Sequence, residues 1–189
     1  MLFNWLKNRA KKRQIAENIY AVAANQARHP HFYQTLMVPD SITGRYELLC
    51  LHVFLLLERL REEETPIARS ISQSLTEILV KELERAYRDN GFRDLSIPKN
   101  VKKLIGGFYE RAGYYKICVG QNDKTTLSNH LKHYIYRTNQ SKGGDQPEHD
   151  CASELALYTL AAHAHLKKLT MEEIKTVNFA FLSPELDQN

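Results

Sequence analysis

A run of ten residues, Leu48–Leu57, is apolar at every position but Cys50 and His52, and no other feature of the chain limits its fold as much. Crossing a bilayer takes about 20 apolar residues, so this run is too short to span one. Being apolar on nearly all sides, it belongs enclosed among other helices and not on a surface. The sequence therefore predicts a central helix over about 44–61, opened by Thr43 or Gly44 and closing near Arg61.

What surrounds this helix also has helical period. Ile15, Ile19, Val22 and Gln26 fall on one stripe. His29-Pro30 ends it, because proline disfavours helical geometry in the residue before it. Thr65-Pro66 reads as an N-cap followed by proline in the first turn. Ile67, Ile71, Leu75, Ile78, Leu79, Leu83 and Tyr87 then keep the helical period up to Gly91, a left-handed stop. Pro98 starts another helix, with Val101, Leu104, Ile105, Phe108, Ala112 and Tyr115 inward. Asp123 and Asp150 read as N-caps. Thr170 with Glu173 makes a capping box, opening a last helix through Met171, Ile174, Val177 and Phe181, while residues 139–149 read as a loop. No alternating strand pattern lasts beyond four residues, and 8 glycines and 6 prolines are few for an all-β chain. The expectation is an all-α single-domain bundle of six or seven helices. Residues 1–30 form a basic, amphipathic arm and first helix, and 31–189 form the helical domain.

Charge and cysteine usage narrow the function classes. A net charge of +4 is mild, and a nucleic-acid binder would concentrate more positive charge on one face, so nucleic acid is not expected as a partner. Cys50, Cys118 and Cys151 are odd in number and far apart, which suits a reduced, cytoplasmic compartment better than a disulfide framework. Leu2, Phe3, Trp5 and Leu6 precede Lys7, Arg9, Lys11, Lys12 and Arg13 with no acid among them. Such a head can lie in the interface of an anionic membrane or pack on the domain, and Leu2, Phe3, Trp5, Leu6, Lys7 and Arg9 are the candidate membrane-interface residues.

Enzyme motifs are missing: there is no GxSxG, HExxH, phosphate loop or GxGxxG. Gly106-Gly107 falls inside a helix and reads as a place of close helix packing. His130 and His133 are three apart on one helix, but no third ligand accompanies them, and a metal site needs three or more. No metal and no cofactor is expected. The competing reading is a small-molecule or haem-binding protein, or an uncharacterised enzyme. Its pocket would be lined by Tyr109, Tyr114, Tyr115, Tyr134 and His130, with His52, His130 or His133 on iron.

Two clusters stand out after these deductions. Val38-Pro39-Asp40-Ser41-Ile42-Thr43-Gly44-Arg45-Tyr46-Glu47 leads into the central helix, with Asp40 or Thr43 as its N-cap. Leu95-Ser96-Ile97-Pro98-Lys99 opens a later helix on which Lys102 and Lys103 join Lys99 at helical spacing, making a small basic patch.

In order and separation these blocks, continued by Phe108-Tyr109 and Arg111, resemble the ubiquinol–cytochrome c chaperone family, helical assembly factors of the cytochrome bc complex. The likeness runs from about Val38 to Leu169 and is diffuse beyond about Asn122. The short N-terminal segment fits a bacterial member. The resemblance implies a non-catalytic chaperone with newly made cytochrome b as its protein client, cytoplasmic or peripheral at the inner membrane. Mitochondrial relatives work with a smaller partner, so a second assembly factor counts among the partners to test. The candidate partner-binding residues are Asp40, Gly44, Arg45 and Tyr46 at the turn, with Lys99, Lys102, Lys103 and Arg111 on the later helix. For Asp40 and Arg45 a second role, pinning the central helix, stays open.

Overall fold

The computed structural model describes residues 2–89, 91, 96–136 and 150–185, with side chains from Arg9 onward. These residues hold eight helices and no strand: α1 (Leu2–Gln26), α2 (Pro30–Gln34), α3 (Ile42–Glu62), α4 (Pro66–Asp89), α5 (Ile97–Gln121), α6 (Lys124–Tyr134), α7 (Cys151–Lys167) and α8 (Met171–Thr176). The expected loop at 139–149 lies outside the described residues. The bundle is all-α as the pattern predicted, and the count exceeds six or seven because a short helix, α2, forms directly after His29. The last predicted helix is also shorter than its apolar period: Val177 turns left-handed (φ 56°), and Phe181 reaches the core from a non-helical strap instead of a third turn.

Local chemistry explains most boundaries. Thr65 Oγ1 accepts from the Ala68 amide at 3.2 Å, Asp123 from Thr126 at 3.0 Å, and Asp150 from Ser153 at 3.3 Å. Each satisfies an amide that the helix start leaves free. The Thr170–Glu173 capping box is complete in both directions. Gly91 adopts φ 76° just past α4, where an L side chain would be strained.

The α3 helix is the hub. It packs against α1, α4, α5 and α7, and 14 of its 21 residues are buried, which leaves it almost no solvent face. Its one fully buried ionisable ring, His52, is anchored at both nitrogens. Nδ1 lies 2.8 Å from the Leu48 carbonyl, so it carries the proton. Nε2 therefore accepts from the Tyr158 hydroxyl at 2.9 Å. Gln26 of α1 donates to that same hydroxyl at 3.0 Å and to the Leu182 carbonyl at 2.9 Å. One polar chain thus ties α1, α3, α7 and the C-terminal strap, with Phe32 and Phe181 packed edge-on against the imidazole. Glu62 and Glu63 at the end of α3 are engaged as well: Glu62 pairs with Lys167 at 3.0 Å and Glu63 with Arg59 at 3.0 Å.

Candidate functional site

The turn before α3 is built on a close approach. Ser41, not Asp40 or Thr43, is the N-cap, and its hydroxyl accepts from the Gly44 amide at 3.1 Å. A Cβ on Gly44 would stand 2.0 Å from the Pro39 carbonyl oxygen. Only glycine lets the Pro39 backbone lie against the first turn of the helix. Asp40, released from capping, pairs with Arg45 at 2.5 Å on the surface, and that bond holds the Asp40 carboxyl below its ordinary pKa. The Arg45 guanidinium also lies over the Tyr33 ring at 5.4 Å, so surface contacts link the turn, α2 and α3.

Beside this turn lies a groove of about 620 Å³ between α1, α3, α4 and α5, whose apolar wall includes Ala24, Ala27, Leu49, Leu79, Leu83 and Leu104. Arg28, Arg45 and Glu82 add charge to its lining. Burial, with Glu82 adding to it, pushes the Tyr20 phenol up to about 12, so that ring lines the groove uncharged. Ile42 at the mouth is 72% exposed and Met37 is 51% exposed. Met37 is held left-handed at φ 51°, a conformation that costs a non-glycine residue on the order of 1 kcal/mol or more. The connection between α2 and α3 thus exposes two apolar side chains, Ile42 at the mouth of the cleft and the strained Met37 earlier in the chain.

Under the groove sits a buried ion pair. Glu47 Oε2 and Arg111 Nε are 2.9 Å apart, each side chain about one-tenth exposed. Burial raises the Glu47 carboxyl to about 7 even with Arg111 opposing it. Burial works against the Arg111 cation too, yet Glu47 and its neighbours hold its pKa above the ordinary value. The guanidinium is flanked by the Tyr46 ring at 5.9 Å and the Tyr134 ring at 5.5 Å. Gly107 lacks the side chain that would meet Arg111 Nη1 at 2.9 Å. The Gly106-Gly107 pair thus makes room for a cation and not for a neighbouring helix: a Cβ on Gly106 would meet open space.

The expected partner-binding residues divide into three groups. Asp40 and Arg45 are exposed at the turn. Gly44, Tyr46 and Arg111 are buried supports, with the Tyr46 hydroxyl donating to the Leu104 carbonyl at 3.0 Å. Lys99, Lys102 and Lys103 are exposed along α5, apart from Arg111 on its inward side. Sequence reading missed the groove itself and the Glu47 partner of Arg111. Acid and base stand 64 positions apart, so only the adjacency of Glu47 to the glycine turn could have hinted at it. At the other end, α1 begins at Leu2; Arg9 is exposed, and the side chains of Leu2, Phe3, Trp5, Leu6 and Lys7 lie outside the described ones.

The alternative aromatic pocket does not assemble. Tyr115 is buried edge-on against Phe54, Tyr109 faces a separate groove along α4, and His130 is stacked on Tyr114 at 4.7 Å and near-parallel to Tyr134 at 6.3 Å. His52 has no free nitrogen for iron. Among the described residues no three His, Cys, Asp or Glu side chains are grouped to hold a metal ion, and no helix is long and apolar enough to cross a membrane.

A family model described as ubiquinol-cytochrome C chaperone matches residues 34–181. Among solved structures, the crystal structure of the Cbp3 homolog from Brucella abortus is similar over 98% of each chain, with a TM-score of 0.82 and 28% sequence identity. None of the curated proteins matches.

Proposed function

Because the chain belongs to the ubiquinol–cytochrome c chaperone family, we propose that it binds newly made cytochrome b and keeps it competent for assembly into the ubiquinol–cytochrome c reductase complex. The observation that carries this reading is the apolar groove at the α2–α3 turn, with Ile42 displayed at its edge and Arg45 and Arg28 beside it. A client made of apolar membrane-spanning helices joined by polar loops needs both features: an apolar cleft for a helix face and charged groups for the loop that follows it. In this reading Asp40 and Arg45 touch the client, whereas Gly44, Tyr46 and Arg111 fix the shape of the groove. A second assembly factor would share the remaining surface. Leu2, Phe3, Trp5, Leu6, Lys7 and Arg9 would give the chain a peripheral hold on an anionic membrane.

Photocrosslinking from position 45 during cytochrome b synthesis tests the site, and deletion of the gene tests the role. The expected results are a crosslink to nascent cytochrome b and loss of assembled complex with cytochrome b message retained. Normal levels of complex in the deletion strain would defeat the reading.

A further inference from the structure

The lysines of α5 gather several unpaired charges on one helix. Lys99, Lys102, Lys103 and Lys116 are all exposed, and none makes an ion pair with a described residue, whereas Arg13, Arg45, Arg59, Arg61, Arg85 and Arg88 each do. Glu110 is the one acid in the helix. Three of the lysines occupy its first two turns, where no acid offsets them and where the helix dipole already presents positive charge. Like charge gathered at that end costs the isolated protein stability, and a negatively charged surface would relieve it.

Apolar exposure gathers on the same helix. Of seven exposed large hydrophobic side chains among the described residues, three are on α5: Tyr109 at 55%, Tyr114 at 40% and Ile117 at 58%. Unpaired lysines beside an exposed aromatic and an exposed aliphatic residue make up the composition of a helix that lies in a bilayer interface. The lysine stems reach along the surface with their ammonium groups at lipid phosphates. The outer face of a helix is convex and offers no cleft to seat a peptide, so the plane of a membrane fits it better than a protruding segment does. Gly106, Gly113 and Gly120 sit on that face with open space where each Cβ would be, which keeps its centre low enough for Ile117 and the flanking lysines to meet one plane.

We infer that the outer face of α5 docks the protein on an anionic bilayer, with Lys99, Lys102, Lys103 and Lys116 against lipid headgroups and Tyr109 and Ile117 at the edge of the acyl region. The assignment stands independently of which protein the groove receives. Flotation of the full chain with phosphatidylcholine vesicles, with and without phosphatidylglycerol, tests it. The chain should float only with the anionic vesicles, less so as salt rises. Each lysine replaced by glutamine should weaken binding about fivefold, and Ile117→Ser should weaken it further, with helical circular dichroism unchanged. Failure of the full chain to float, or a K99Q/K102Q/K103Q/K116Q variant that floats like its parent, would overturn the inference. So would loss of flotation confined to a K11Q/K12Q control, which would move the contact to α1. A quadruple variant that floats normally but fails to support assembly of the complex would assign the lysines to an acidic protein and overturn it too.

Discussion

Glu47 on α3 and Arg111 on α5 face each other at 2.9 Å with about a tenth of each side chain exposed. They form an acid–base contact between two of the four helices that frame the groove. Arg111 Nη2 is buried without a hydrogen-bond partner, so the pair is not fully satisfied, and losing Glu47 leaves the guanidinium with no acid beside it. Glu47→Ala is expected to lower unfolding free energy by about 3–5 kcal/mol, the usual cost of stranding a buried charge. The double variant Glu47→Leu, Arg111→Met should lose less. Urea denaturation of the three proteins checks this; equal losses would mean that packing, not charge, dominates.

The same pair predicts a pH dependence. The folded Glu47 carboxyl titrates at about 7 and the unfolded one near 4.5. Between those values the native state keeps a proton that the unfolded chain has released, so the contribution of Glu47 to stability is full below about 4.5, falls as pH rises, and levels above about 7. The difference in unfolding free energy between wild type and Glu47→Gln should fall through that window. A difference that grows with pH would show that attraction to Arg111 outweighs burial.

His52 acts with the opposite sign. Burial lowers its pKa from 6.5 to about 4, against a smaller opposing effect of its bond to Leu48. From about 6.5 down to about 4 the unfolded chain takes up a proton that the native imidazole refuses, so stability falls as pH falls. Protonation would also turn Nε2 into a donor facing the Tyr158 hydroxyl. His52→Gln should be less stable than wild type at neutral pH and should lack this acid limb. The two residues oppose each other between about 4.5 and 6.5, so only the single variants separate them.

Two glycines should respond in opposite directions. Gly44→Ala drives a methyl group into the Pro39 carbonyl, and displacing that backbone should cost about 1–3 kcal/mol. Gly106→Ala meets open space on an exposed helix and should gain roughly 0.5–1 kcal/mol. Denaturant midpoints decide both, and an unperturbed Gly44→Ala protein would mean that the turn shifts freely.

Asp40 and Arg45 should separate binding from folding. Each side chain is more than half exposed, and exposed ion pairs contribute little to stability. Asp40→Asn and Arg45→Ala are expected to keep the wild-type melting temperature while reducing crosslinking to nascent cytochrome b. A lowered melting temperature with binding intact would assign the pair to pinning α3.

Much of the helical architecture was legible because its signals are local. Thr65-Pro66, Asp123, Asp150 and the Thr170–Glu173 box each act within four residues of themselves, so the chain carries them in plain order. Where two local signals competed, the sequence was ambiguous. Asp40, Ser41 and Thr43 can all cap a helix, and Ser41 does so because Gly44 packs on Pro39 and leaves Asp40 to Arg45. The apolar period past Met171 suggested more helix than forms, because Phe181 meets His52 from an extended strap that Gln26 holds through Leu182.

The amino-acid order by itself determined that Leu48–Leu57 would be enclosed: an apolar segment with no polar side has no other stable place in water. The tertiary structure alone decided what the enclosed helix presents. Whether Arg111 meets solvent or Glu47, whether His52 is free or held by Tyr158, and whether the residues beside Gly44 border a cleft all depend on partners tens of residues away. Those meetings follow from how helices stack, a property no short window of sequence contains.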